Sequence, residues 1–175
     1  MPFARPRLME HGDVSRAQRF DCGVPVLNDW LQKHAWPSHQ GGGARVYVTV
    51  EPTQDLIAAY FCLSASHTDR TVAPPRVSQG MGRSPIPVVL IGRFGVDMRF
   101  QGSGLGTFMV RHAFEETLKT AQWFGIRAVM VEAKDQNAAN FYEGLGFTAS
   151  VSDPLRLFIM IKDVKKSITV AAMNP

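Results

Sequence analysis

Three glycines at alternate positions, Gly102, Gly104 and Gly106, stand in the stretch QGSGLG, just after the apolar run VVLIGRFGV and just before a run with helical spacing. A helix N-terminus leaves several backbone N–H groups unpaired and carries the positive end of the helix dipole. A glycine-rich entry therefore makes a cradle for an anion, most often a phosphate. The same glycines also fit a plain turn, and short glycine patterns recur by chance. Two nucleotide chemistries fall away on residue types. A P-loop needs Gly-Lys followed by Ser or Thr, and Gly106, Thr107 and Phe108 bring no lysine. A dinucleotide fingerprint needs a third glycine where Thr107 stands, and the unit is preceded by a meander of strands.

An anionic partner also fits the charge. The chain of 175 residues carries a formal charge of +4, and from residue 70 to residue 99 Arg70, Arg76, Arg83, Arg93 and Arg99 face a single carboxylate, Asp97. This predicts a phosphate-facing edge. With 45% hydrophobic and 19% charged residues the composition is that of a globular protein, and the length fits a single domain over 1–175. The opening MPFARPRLMEHGD places prolines and charges where a secretory leader needs an apolar core, and no run approaches membrane-spanning length. A cytoplasmic protein without a membrane segment is expected. Cys22 and Cys62 lie far apart without a CxxC pair or a suitably spaced histidine, so neither a disulfide framework nor a metal site is indicated, and both read as buried or idle thiols.

The elements that must position the glycine loop follow from periodicity. Leu27, Trp30, Leu31 and His34 have helical spacing behind Pro25. RVYVTVE and LIAAYFCLSAS flank the turn-like PTQD and read as an antiparallel hairpin. Residues 69–87, rich in proline and glycine, read as a long loop. VVLIGRFGV is the next strand, and Gly92 and Gly95 suit a bulge or the close approach of another molecule's backbone. A long helix runs from Ser103 through Leu105, Phe108, Met109, Ala113, Phe114, Leu118, Ala121 and Phe124 to Gly125. IRAVMVEA is a strand buried on both faces, NAANFYEGL a short helix, and LRLFIMIK a last strand, with a frayed tail over 163–175 and the core over about 20–162. The class is α/β with a mixed sheet.

Gln101, Gly104 and Gly106 match the pattern Q/R-x-x-G-x-G/A, which resembles the pyrophosphate loop of the GNAT superfamily of acyl-CoA-dependent N-acetyltransferases. Independently, DQNAANFYEGLGF resembles that superfamily's closing motif through Ala138, Phe141-Tyr142 and Gly146-Phe147. The resemblance implies a GNAT fold: a mixed, mostly antiparallel central sheet flanked by helices, with a splayed strand pair that binds acetyl-CoA. It also implies that Val96, Gln101, Gly102, Ser103, Gly104, Leu105, Gly106, Asp135 and Phe141 hold the acetyl-CoA cosubstrate. A narrower likeness runs through FDCGVPVLNDWL, ARVYVTV, PIPVVLIGRFGVD and FYEGLGF, which together resemble the GNAT toxins of bacterial toxin-antitoxin pairs. Those toxins acetylate the amino group of aminoacyl-tRNA. Arg93 lies where they usually read Arg-Leu-Ala-Val-Asp, and Phe94 and Gly95 depart from that pattern. The toxin resemblance implies a ribbon-helix-helix antitoxin as partner and a homodimer. Acetylation of a small-molecule or protein amine, and a catalytically idle acyl-CoA-binding module, are the competing functions.

Acetyl transfer needs a neutral amine, a polarised carbonyl and a proton for the departing thiolate. On this resemblance the backbone N–H near Val96 holds the carbonyl oxygen and Tyr142, a phenol of pKa about 10, is the acid. Glu132, Asp97 or water accepts the amine proton. Arg93, Arg76, Arg83, Arg45 and Lys33 are the candidates for gripping tRNA phosphates. His34 and His39 read as solvated or capping residues, and Trp30 and Trp36 as core or rim.

Overall fold

The computed structural model describes residues 3–173. The chain opens with strand β1 (Arg7–Leu8) and helix α1 (Asp13–Ala17). Helix α2 (Pro25–Asp29) begins on a proline, whose fixed φ and missing N–H suit a first turn. It continues through a π-turn (Trp30–His34) into α3 (Ala35–Gly41). Leu31 and Ala35 are buried on its inward face, whereas His34 stays exposed beside Asp29, 3.7 Å away.

Strands β2 (Arg45–Glu51) and β3 (Leu56–Thr68) form the expected antiparallel hairpin, from Arg45↔Leu63 to Glu51↔Leu56, with one bulge at Thr49/Val50. The 69–87 stretch contains a short helix, α4 (Pro75–Ser78). It is followed by β4 (Ile86–Val96), a 3₁₀ turn (Met98–Phe100) and α5 (Leu105–Thr120). Then come β5 (Ala128–Glu132), α6 (Gln136–Gly144), β6 (Thr148–Ala149), β7 (Arg156–Met160) and α7 (Ile161–Met173). The seven strands lie in the order β1-β2-β3-β4-β5-β7-β6. Strands β4 and β5 pair in parallel from Val88↔Ala128 to Ile91↔Val131, and β4 then runs on to Val96. Strand β5 pairs antiparallel with β7, and β7 with β6. Ala128 to Val131 are buried without alternation, as a parallel strand covered on both faces requires.

Backbone packing groups the chain into two compact units, one of the residues up to Ser64 with Gly92–Ala113, the other of Ala65–Ile91 with the chain from Phe114 onward. In the first, Met9, Ala17, Phe20, Leu31 and Ala35 pack with Val46, Val48, Ile57 and Tyr60. Tyr60 is fully buried, donates its hydroxyl to the Leu27 carbonyl at 2.9 Å and meets Phe20 edge-on at 5.3 Å. In the second, Ala73 and Val77 pack with Ile86, Val88, Ala128, Met130, Phe158 and Met160. The 69–87 stretch is held to that core by polar bonds to its backbone. Arg127 donates to the carbonyls of Val77, Arg76 and Gln79 at 2.9 to 3.0 Å, and Ser150 Oγ donates to the Val72 carbonyl at 2.6 Å. Helix-end carbonyls need such donors because no later N–H reaches them.

Four expectations are corrected. The tail is helical, since α7 extends to Met173. The long helix ends at Thr120, and Phe124 lies outside it with 70% of its surface exposed. The folded chain starts before residue 20, because β1 pairs with β2 through Arg7↔Val48 and Leu8↔Tyr47. The space at Gly95 is filled by this chain's own rings: a Cβ there would lie 3.0 Å from Tyr60 Cε1 and 3.2 Å from Phe20 Cζ.

Tyr60 is tied by its hydroxyl to Leu27, and it or Phe20 must shift to admit a methyl group. Gly95→Ala is therefore expected to cost about 1 kcal/mol or more, the usual penalty of overpacking. Urea unfolding checks this, and a midpoint equal to or above wild type would contradict the packing described.

Candidate active site

Strand β4 hands the chain to the glycine loop through a buried carboxylate. Asp97, with 1% of its side chain exposed, accepts from the Arg99 backbone N–H, Nε and Nη2 at 3.0, 2.7 and 2.7 Å, and from the Asp21 N–H at 3.0 Å. Burial works against its charge, but the Arg99 guanidinium and the backbone donors outweigh it and hold the carboxyl below its ordinary range. An acid so saturated is a poor proton acceptor, and its bonds hold the turn after β4 in place. Glu132 is likewise engaged, accepting from Arg156 Nη2 at 2.8 Å.

Gln101 uses its side-chain amide inside the protein, donating to the Val96 carbonyl at 2.9 Å and the Cys22 carbonyl at 3.1 Å. Ser103 Oγ donates to the Phe100 carbonyl at 2.6 Å. Gly102 and Gly104 have φ of +74° and +82°, the left-handed region that side chains disfavour. The Phe108 N–H bonds the Gly104 carbonyl at 3.1 Å, which places Gly104 at the cap of α5. Leu105 is buried as the anchor of the first turn, and Gly106 follows it. The first-turn N–H groups of α5 have no preceding helical carbonyl to bond, so the loop offers backbone donors for a phosphate and its side chains hold the loop.

In the second unit Asp135 caps α6, its Oδ1 accepting from the Ala138 N–H at 2.8 Å, while Lys134 pairs with its Oδ2 at 2.9 Å. The backbone bond and then Lys134 lower its pKa. Phe141 is half-buried, and Tyr142 is buried between the rings of Phe141 and Phe147, at 5.2 and 5.4 Å. Gly146, with φ of +99°, turns the chain after α6 so that the Phe147 N–H returns to the Tyr142 carbonyl at 3.2 Å. The Gly-Phe of the closing motif is thus what packs the tyrosine ring. Burial pushes the Tyr142 phenol above its ordinary value.

Most of the expected phosphate-facing edge is spent on the protein itself. Arg70 donates to the Gly82 carbonyl at 3.0 Å, and Arg76 pairs with Asp163 at 3.2 Å. Arg45 donates to the His39 carbonyl at 2.8 Å, and Lys33 pairs with Asp29. Arg83 is exposed, and Arg93 lies with its Cζ 5.9 Å from the centre of the Trp30 ring. Trp30 and Trp36 are partly buried against the core, as expected of core or rim residues, and Trp30 in addition meets Arg93. His39 accepts from the Val46 N–H at 3.1 Å, as a capping histidine does. Cys22 and Cys62 are both buried, and burial pushes the Cys62 thiol up to about 11. Among the described residues no group of His, Cys, Asp or Glu is placed to hold a metal ion, and no helix is long and apolar enough to cross a membrane.

The acetyltransferase (GNAT) domain family matches residues 42–149, and the chain belongs to that family. It is an acetyl-CoA-dependent N-acetyltransferase. A tRNA-acetylating toxin of Mycobacterium tuberculosis is 33% identical over 166 residues, covering 95% of this chain and 97% of that one. Among solved structures, AtaT complexed with acetyl-methionyl-tRNAfMet is similar with a TM-score of 0.85 and 28% identity, over 93% of this chain and 97% of that one. A tyrosine-to-phenylalanine mutant of AtaT bound to the C-terminus of the antitoxin AtaR and acetyl-CoA has a TM-score of 0.80 and 26% identity, over 97% and 99%.

Two variants check the loop. Gly104→Ala forces a side chain into the left-handed region and is expected to weaken acetyl-CoA binding by about fivefold in calorimetry, from about 1 kcal/mol of strain; unchanged affinity would contradict the cradle. Asp97→Asn tests linkage. A carboxylate held below its unfolded pKa stabilises the fold above that value, and the stabilisation is lost as pH falls through the folded pKa. The stability gap between wild type and Asp97→Asn is expected to be constant near neutrality and to shrink below about pH 4.

Proposed function

We propose that this chain is the toxin of a toxin-antitoxin pair, which transfers acetyl from acetyl-CoA to the α-amino group of aminoacyl-tRNA and so blocks translation. The observation that carries this is the end-to-end match to a tRNA-acetylating toxin, supported by the likeness to AtaT carrying an acetylated methionyl-tRNA. The likeness to AtaT with its antitoxin supports a protein partner that restrains the activity. That partner is a ribbon-helix-helix antitoxin, and the enzyme works as a homodimer in the cytoplasm.

Bound acetyl-CoA supplies an activated thioester. The Gly102–Gly106 backbone and the start of α5 take its phosphates, and Asp135 and Phe141 also hold the cosubstrate. The Val96 N–H takes the thioester carbonyl oxygen. Tyr142 Oη holds a proton for the sulfur, and burial keeps that proton in place at working pH until charge builds on the leaving atom. No carboxylate is needed as base. An α-amine titrates near 8 and is partly neutral at pH 7, whereas a lysine near 10.4 is almost wholly charged. Water accepts the proton, in keeping with the engagement of Asp97 and Glu132. Arg93 and Arg83 contact the tRNA backbone, with Arg76, Arg45 and Lys33 at the margin.

Transfer of labelled acetyl from acetyl-CoA to charged and to deacylated tRNA tests this directly. Label is expected in charged tRNA alone, with Tyr142→Phe reducing the rate by about a hundredfold or more while acetyl-CoA affinity stays within a few-fold. Label on neither RNA would overturn the proposal. The pH profile is a separate check: kcat/KM is expected to rise with pH through the amine pKa, with no falling limb from Tyr142 below about pH 10.

A further inference from the structure

We infer that Trp30 is a positioning residue: its ring holds the Arg93 guanidinium by a cation–π contact and thereby leaves the N–H donors of Arg93 available to a phosphate of the RNA substrate. This rests on the aminoacyl-tRNA reading above and assigns a role to a residue outside the acetyl-transfer machinery.

The other arginines show what makes Arg93 different. Arg99 is consumed by Asp97 and the Arg19 carbonyl, Arg19 by the Gln54 and Asp55 carbonyls, Arg16 by Asp13 and Asp55, and Arg45 by the His39 carbonyl. Each is fixed in place, and each is fixed by spending its donors. Arg83 keeps its donors but has no seat among the described residues. Arg93 is exposed and lies over the Trp30 ring at 5.9 Å, with no carbonyl or carboxylate bonded to its guanidinium among the described residues. A guanidinium held by a ring and not by hydrogen-bond acceptors retains the planar fork that matches phosphate oxygens in pairs.

The seat is itself rigid. Trp30 stacks on Tyr60 at 5.9 Å with the rings 13° from parallel, and Tyr60 is fixed by its bond to the Leu27 carbonyl and its contact with Phe20. Trp30 also opens the π-turn of its helix, a distortion that recurs at functional sites. Phe20, Tyr60, Trp30 and Arg93 thus form one column from the buried core to the exposed cation. A guanidinium pre-set in this way loses less freedom when it meets a phosphate than one on a free side chain.

The test is steady-state kinetics of the full chain on charged tRNA, with wild type, Trp30→Leu, Trp30→Phe, Arg93→Ala and the Trp30→Leu/Arg93→Ala double variant. Trp30→Leu and Arg93→Ala are each expected to raise KM for charged tRNA by about three- to tenfold, with kcat and the KM for acetyl-CoA near wild type. Trp30→Phe, which keeps an aromatic face, is expected to stay close to wild type. The double variant is expected to match Arg93→Ala alone, because a residue that acts only through Arg93 has nothing to add once Arg93 is gone. A further rise in KM in the double variant would assign Trp30 a merely structural role and overturn the inference, as would an unchanged KM in Trp30→Leu. Should Trp30→Leu fail to fold, Arg93→Lys decides: it keeps the charge and loses the planar donor fork, so its KM is expected to follow Arg93→Ala, and a wild-type KM would overturn the inference. If wild type leaves charged tRNA unlabelled, the aminoacyl-tRNA reading itself falls and takes this inference with it.

Discussion

Both oxygens of the buried Asp97 carboxylate are saturated within its own neighbourhood, by three donors of Arg99 and by the N–H of Asp21. That arrangement fixes the end of β4 to the segment before α2. Met98 N–H adds a bond to the Asp21 carbonyl at 2.9 Å, and Gln101 adds another to the Cys22 carbonyl. The turn that carries Gly102 and Gly104 starts from this tied point, so its left-handed residues come at a fixed place in the chain. A buried ion pair contributes little net stability once desolvation is counted, yet removing one partner leaves an unpaired charge, which is why such pairs specify geometry more than they strengthen a fold.

The same economy governs the cations. A net charge of +4 and a run of arginines read as a binding edge, but guanidinium groups also serve as donors to carbonyls that the backbone cannot satisfy by itself. Arg127 alone supplies three such carbonyls around α4, and Arg70 holds the same stretch at Gly82. A basic composition is thus divided between holding irregular chain and meeting an anionic partner, and the division is visible only once bonds are assigned.

Much of the fold was legible because its signals are local. Alternation and β-branched residues marked the hairpin of β2 and β3, and an unbroken apolar run marked β5. The glycine loop and FYEGLGF were legible as motifs, and their physical reasons are the left-handed φ of Gly102, Gly104 and Gly146. What stayed hidden depends on distant partners. The two-residue β1 is a strand only because Tyr47 and Val48 lie opposite it, and α4 is held by an arginine about fifty positions away in sequence. The helix of the tail carries Ile161, Val164 and Ile168 at helical spacing among polar residues, a short signal with no motif beside it. The engagement of Asp97 and Glu132 could not be read without knowing that Arg99 and Arg156 reach them.

In the proposed reaction the loop backbone binds, side chains such as Gln101 and Asp97 hold that backbone, and Tyr142 supplies a proton. The central claim is that the acetyl group goes to the amino end of the amino acid esterified to tRNA. Nuclease digestion of the reacted RNA followed by mass spectrometry of the released aminoacyl-adenosine addresses it most directly. A gain of one acetyl group on the aminoacyl part, absent when acetyl-CoA is withheld, is the predicted result. An unmodified aminoacyl-adenosine from RNA incubated with active, acetyl-CoA-bound enzyme would contradict the account.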